Sequence, residues 1–158
     1  MFVNMFLVIR YLLMQDHYQK PRKTIYCAVW EREVVQRSKK HRWFVRKTEF
    51  PRRYYPPYCS GSNMILTADS VVPLYTTALR TKFLWVDDVF LSGIVAPKCG
   101  VKLHKINTIT DLLCKDHVVK GTMHKVLFCH VSSRMYLLEW FWKNLMHNYL
   151  LTSTSSQV

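Results

Sequence analysis

The sequence predicts a single α/β or α+β sheet domain rather than a helical bundle, and three observations carry that expectation. Apolar residues recur at helical spacing near the start, from Phe2 through Met5, Phe6, Ile9 and Leu12 to Leu13. Thr24 to Trp30 alternates β-branched and aromatic residues as a strand does. From Ser133 on, Met135, Leu138, Trp142, Leu145, Met146 and Tyr149 return to helical spacing. Helical and extended patterns thus interleave along the chain, as they do where helices cover a sheet.

Taken in order, the first pattern places a helix to about Tyr18, and Lys20-Pro21-Arg22 breaks it. The strand at 24–30 follows, then a basic loop from Gln36 to Arg42 and a short second strand at Trp43-Phe44-Val45. Tyr54-Tyr55-Pro56-Pro57-Tyr58-Cys59-Ser60-Gly61 reads as a rigid aromatic loop ending in a tight Ser-Gly turn. Two prolines fix their own φ, bias Tyr55 and Pro56 toward extended geometry, and so hold the tyrosines at small entropic cost. Gly61 lets the backbone turn where a side chain would not fit. Ser62 to Thr67 is apolar enough for a strand. Ala68-Asp69-Ser70 caps a helix to about Leu79, with Val71, Val72, Leu74, Tyr75 and Ala78 as its buried side. A helix over Asp88 to Ala96 begins at a carboxylate pair and ends at Cys99-Gly100-Val101. Lys125 to Cys129 is a short apolar strand leading into His130, and Thr152 to Val158 forms a polar tail.

With 158 residues, 49% of them hydrophobic, the chain is long enough for one core-bearing domain and too apolar for a disordered tail. Its net charge of +13 gathers early, where twelve Lys and Arg residues between Lys20 and Arg53 face only Glu31, Glu33 and Glu49. Two readings of that charge stand at this point: an anionic partner such as nucleic acid, an acidic membrane surface or a phosphorylated molecule, or a solvated basic face with no ligand of its own. The five cysteines include no Cys-x-x-Cys pair, which excludes a zinc ribbon and a thioredoxin-like motif and leaves the compartment open. The apolar run from Met1 to Met14 is too short to span a bilayer and lacks a basic leader and a small-residue cleavage site. No Asn-x-Ser/Thr sequon occurs.

Asp87 and Asp88 lie between Trp85-Val86 and Val89-Phe90, where a charge is costly without a partner or a task. One of them can act as a general base if burial and the neighbouring carboxylate raise its pKa. The competing reading is a helix cap. His130, between a strand and a helix, can reach a metal or a phosphate or can be a satisfied structural histidine. Cys114, His117, His124 and Cys129 match no standard zinc spacing. Trp140 and Trp142 read as helix packing, whereas Trp43, among basic residues, is the better exposed aromatic.

On these residues the chain resembles the β-1,3-glycosyltransferases of glycosyltransferase family 31. Arg42-Trp43-Phe44-Val45 is similar to the family's Lys/Arg-Trp-aromatic-Val strand, and Tyr55-Pro56-Pro57-Tyr58-Cys59-Ser60-Gly61 to its Tyr-Pro-x-Tyr-Cys-Ser-Gly loop. Val86-Asp87-Asp88-Val89 occupies the place of its Glu-Asp-Val, with Asp87 for the glutamate and Gly93 at the expected interval. Phe2-Val3-Asn4 is similar to the segment that follows the family's Asp-Asp-Asp motif. The resemblance therefore implies that residues 1–151 are the C-terminal part of a GT-A type (Rossmann-like) glycosyltransferase domain, with 152–158 as a tail. The nucleotide-binding half, the metal aspartates and a membrane anchor would lie upstream, leaving the isolated chain inactive.

What the resemblance implies for function is an inverting hexosyltransferase. It would move galactose or N-acetylglucosamine from a UDP-sugar to a glycan acceptor in β-1,3 linkage, on the lumenal side of the Golgi membrane and with Mn²⁺ as cofactor. Asp88 would be the base; Trp43, Tyr58, Ser60, Gly61 and Asp87 would line the donor and acceptor cleft; His130 would complete the metal shell. The basic stretch would then be mostly solvated surface, with no nucleic acid expected. The alternative is a non-catalytic basic module that binds nucleic acid or an anionic membrane surface.

Overall fold

The computed structural model describes residues 2–3, 22–111, 128–129, 139 and 142–143. Its centre is a three-stranded sheet in the order β3-β2-β4. Strand β2 (Thr24–Trp30) is the middle strand. It runs antiparallel to β3 (Tyr58–Leu66) and parallel to β4 (Lys102–Lys105). Residues 24–29 are all buried, as expected of a strand covered on both faces. The α/β class expected from the sequence is therefore observed. Helix α1 (Ala68–Ala78) follows β3, and a π-helical segment, Val89–Val95, runs into the short α2 (Ala96–Lys98). A left-handed Gly100, φ 72°, then turns the chain toward β4.

A second small sheet joins β1 (Phe2–Val3), β6 (Phe128–Cys129) and β5 (Thr110–Asp111), with β6 in the middle. Phe2 pairs with Cys129 and Val3 with Phe128, so the helix expected from residue 2 does not begin there. Pairing with a distant strand overrides the local helical spacing at these two residues. The rest of that expected helix, His130, the Cys114/His117/His124 group and the tail 152–158 lie outside the described residues. The expected strand at 125–129 is borne out where it is described, at Phe128–Cys129.

Three further expectations change. Trp43-Phe44-Val45 is not a strand: His41 N–H donates to the Ser38 carbonyl and Phe44 N–H to that of His41, forming a turn. Arg37 takes the place of a strand partner there, its guanidinium donating to the carbonyls of Val45, Phe50 and Arg52. Ser60 and Gly61 are strand residues rather than a turn, because β3 starts at Tyr58 and passes through a bulge opposite Cys27 to Val29. The Asn63 side chain accepts the Ala28 N–H that the bulge frees. Helix α1 buries Ser70 and Leu74, one turn apart, whereas Val72 is 68% exposed, with Val71 and Tyr75 also open. Its N-cap is Thr67, and Asp69 instead accepts the Lys23 N–H with both carboxylate oxygens at 3.0 Å. Trp142, expected to pack, is 61% exposed.

Two hydrophobic clusters flank the site region. Ile25, Val29, Leu74, Val95, Ala96 and Val101 pack around the disulfide Cys27–Cys59, which joins β2 to β3. Val35, Val45, Tyr55, Leu84, Val86 and Val89 form the other cluster, beneath the aromatic loop. Between loop and helix there is no room to spare. A Cβ on Gly93 would lie 3.1 Å from Tyr58 Cβ and 3.2 Å from Pro56 Cγ. Gly93→Ala is accordingly expected to destabilise the fold by about 1–3 kcal/mol through overpacking; an unchanged urea midpoint would show that the loop yields freely.

Candidate active site

The carboxylate pair is split by the start of the π-helical segment. Asp88 is its N-cap and turns inward, half-buried, while Asp87 is exposed. Asp88 Oδ1 accepts the Val89 N–H at 2.8 Å, and its carboxylate also accepts the Gly61 N–H from β3. Asp88 is thus both the helix cap and the acid that faces the pocket, two roles that the sequence posed as rivals.

Ser92 fixes this acid against the sheet. It is fully buried, accepts the Cys59 N–H at 2.8 Å and donates its hydroxyl to the Asp88 carbonyl. Burial pushes the Asp88 carboxyl above the usual carboxylate range, the Val89 hydrogen bond opposes this, and the Asp87 charge adds to the rise. Burial and the Asp88 charge likewise push the Tyr58 hydroxyl up, and burial does the same for Tyr55, so both phenols stay neutral donors.

Asp88 lines a pocket of about 220 Å³ together with Tyr58, Trp43, Tyr55, Val86, Glu33, Gln36, Val34 and His41. Of the residues singled out from the sequence, Asp88, Trp43 and Tyr58 meet here. Gly61 adjoins them, since a Cβ there would sit 3.4 Å from Asp88 Oδ2. Ser60 is buried, its hydroxyl 3.0 Å from that of Ser62, and neither Ser60 nor Asp87 belongs to the pocket wall. Trp43 is 41% exposed and stacks on Trp85, ring centroids 5.8 Å apart, with the Arg42 guanidinium 4.6 Å from its centroid.

Glu33, Gln36 and His41 were not foreseen. They come to the pocket because Val35 N–H donates to the Arg53 carbonyl, Tyr55 N–H donates to that of Glu33, and Val34 bridges Tyr54. No short-range pattern in the sequence signals such a pairing. Tyr55 is held edge-on to Tyr58 and tilted against Phe50. Its buried hydroxyl has no hydrogen-bond partner.

No group of three or more His, Cys, Asp or Glu side chains among the described residues is arranged to hold a metal ion. These residues do not offer the donor set a Mn²⁺ ion needs. Much of the early basic charge is already engaged: Arg37 on three carbonyls, Arg42 over Trp43, and Arg32 and Arg53 beside the Tyr54 ring. No helix among the described residues is long and apolar enough to cross a membrane.

A family model described as galactosyltransferase matches residues 1–107, which include all of the pocket wall. Beta-1,3-galactosyltransferase 1 of Homo sapiens is 32% identical over 100 residues, 63% of this chain and 30% of that protein. Beta-1,3-galactosyltransferase 5 of Mus musculus is 32% identical over 72 residues, 46% of this chain and 23% of that protein. The chain thus spans less than a third of the relatives it matches. An aspartate-centred pocket walled by aromatic side chains, inside the stretch that the family model covers, leads to one assignment: the chain belongs to the galactosyltransferase family.

Proposed function

We propose that this chain supplies the acceptor side of an inverting, UDP-sugar-dependent hexosyltransferase of GT-A type that forms β-1,3 linkages on glycan acceptors. Galactose is favoured over N-acetylglucosamine as the transferred sugar because both relatives above carry galactosyltransferase in their names. The observation that carries the reading is Asp88: a carboxylate capped by two backbone N–H groups, raised by burial, and exposed on one side to an aromatic-lined pocket. In the transfer, Asp88 takes the proton from the acceptor hydroxyl as that oxygen attacks the anomeric carbon, and the bond to the UDP oxygen breaks on the opposite face. Tyr58 and Trp43 bound the space in which the acceptor ring sits, and Gly61 keeps the Asp88 carboxylate clear of side-chain atoms. Asp87 raises the Asp88 carboxyl through its charge and the buried Ser60 belongs to β3, so neither is given contact with the sugar. His130 remains the candidate metal ligand by resemblance alone, with the Asp-Asp-Asp segment expected to supply the other donors for Mn²⁺. The buried Cys27–Cys59 disulfide supports an oxidising compartment, and with it the lumenal Golgi location.

The test is transfer of labelled galactose from UDP-galactose to a β-linked acceptor in the presence of Mn²⁺. It is run on this chain and on the same chain joined to whatever its transcript encodes upstream. Absence of transfer by both, across acceptors, would sink the reading. A salt-sensitive gel shift with RNA or DNA would instead favour the basic binding module.

The pH profile gives a further check. The base must be ionised, so kcat/KM falls as pH drops through the raised Asp88 pKa, and the acid limb lies above the position of an ordinary aspartate. A limb at the ordinary position would show that Asp88 is not the titrating base.

A further inference from the structure

The wall of the Asp88 pocket includes His41, a side chain to which the transfer chemistry assigns no task. His41 sits in the turn closed by its own N–H on the Ser38 carbonyl and by Phe44 N–H on the His41 carbonyl, 3.0 Å each. Its Nδ1 accepts the Trp43 N–H at 3.1 Å, which leaves Nε2 as the ring nitrogen that carries a proton. Nε2–H is then a donor with no partner among the described residues, on a side chain that forms part of the pocket wall.

The neighbouring groups make that donor useful. Asp88 and Glu33, when ionised, can only accept hydrogen bonds, and Arg42 is turned onto the Trp43 ring, so the donors of the wall include the Tyr55 and Tyr58 hydroxyls, the Gln36 amide and His41 Nε2–H. Sugar hydroxyls can satisfy the carboxylates, whereas the ring and glycosidic oxygens of a saccharide can only accept and need a fixed donor. At about 220 Å³ the pocket has room for roughly seven waters at liquid density, space on the scale of one sugar ring.

We infer that His41 is a specificity-determining residue: its Nε2–H donates to an acceptor-only oxygen of the acceptor saccharide. This rests on the transfer reading above for the identity of the ligand class. Its two ring nitrogens have separate tasks, and two substitutions separate them. Asn places an amide oxygen where Nδ1 accepts the Trp43 N–H and removes the outer donor. Gln places an amide N–H near Nε2 and gives up the bond to Trp43.

The experiment measures binding of methyl β-galactoside and methyl N-acetyl-β-glucosaminide to the full chain by saturation-transfer NMR, with urea midpoints recorded for both variants. His41→Asn is expected to weaken binding about three- to tenfold, the worth of one hydrogen bond, with its midpoint unchanged; His41→Gln is expected to bind nearly as the parent does. Binding by His41→Asn equal to the parent overturns the inference, and so does failure of both saccharides to bind the parent chain. Saccharide binding that needs His41, in an enzyme whose transfer is indifferent to Asp88, leaves the inference standing and removes the transfer reading instead.

Discussion

Asp88→Asn is expected to lower kcat/KM for sugar transfer roughly 10²–10⁴-fold, the usual contribution of a positioned general base, while UDP-sugar binding is kept. The size follows from position: the acid lines the pocket, its protonation is tuned by burial, and no other carboxylate in the wall is half-buried, Glu33 being exposed. Stability should not follow activity. The folded-state pKa of Asp88 is raised, so between the unfolded and folded values the native state binds more protons, and stability falls as pH rises through that window. At neutral pH the ionised form is thus a burden that asparagine removes. Against this, the amide can keep the Val89 N–H contact but not accept from Gly61 through its NH₂. The two effects oppose, and the variant is expected to unfold within about 1 kcal/mol of the parent. Retained turnover would exclude Asp88 as the base; loss of turnover together with a collapsed midpoint would mean that its cap, not its chemistry, had been removed.

Much of what places Asp88 was legible from local pattern. The strand at 24–30 coincides with β2, the helix after Thr67 with α1, and the Gly100 turn with the end of α2, because each is written in residues close along the chain. Legibility stopped where distant residues decide. Nothing near Trp43 says that Arg37 will occupy the carbonyls of Val45, Phe50 and Arg52 and so prevent a strand. Nothing near Gly61 says that Asn63 will satisfy Ala28 and draw Ser60 and Gly61 into β3. The helical spacing of Val71, Val72 and Tyr75 was real, but the sheet meets α1 through Ser70 and Leu74, a face rotated from theirs. Pocket residues Glu33, Gln36 and His41 escaped for the same reason, since they arrive through the pairing of residues 33–35 with 53–55.

The cysteines make the same point with the larger effect on stability. Five cysteines in the sequence left the pairing open, and among the described residues the fold closes the bridge Cys27–Cys59, across 32 residues. That loop contains the basic turn, His41, Trp43 and the double-proline segment, so the bridge anchors both ends of the segment that walls the pocket. Chain-entropy arguments for a loop of this length give about 3–4 kcal/mol. Replacing both cysteines by alanine is therefore expected to lower unfolding free energy by about that amount, a large share of the roughly 5–15 kcal/mol that holds a domain together. The loss should appear as a lowered urea midpoint with a steeper slope, because the denatured chain without its cross-link exposes more surface. Because Cys59 N–H is the donor to Ser92, and Ser92 holds the Asp88 carbonyl, strand fraying at position 59 is transmitted to Asp88. Transfer should accordingly decline in the double variant, and in the parent under reductant, at urea concentrations too low for global unfolding. Free Cys99 gives the control: its thiol donates to the carbonyls of Val95 and Ala96 in the same helical segment, and Cys99→Ala should leave both midpoint and reductant sensitivity as they were. A parent midpoint that reductant does not move would show that the β2–β3 pairing holds the site without its covalent tie.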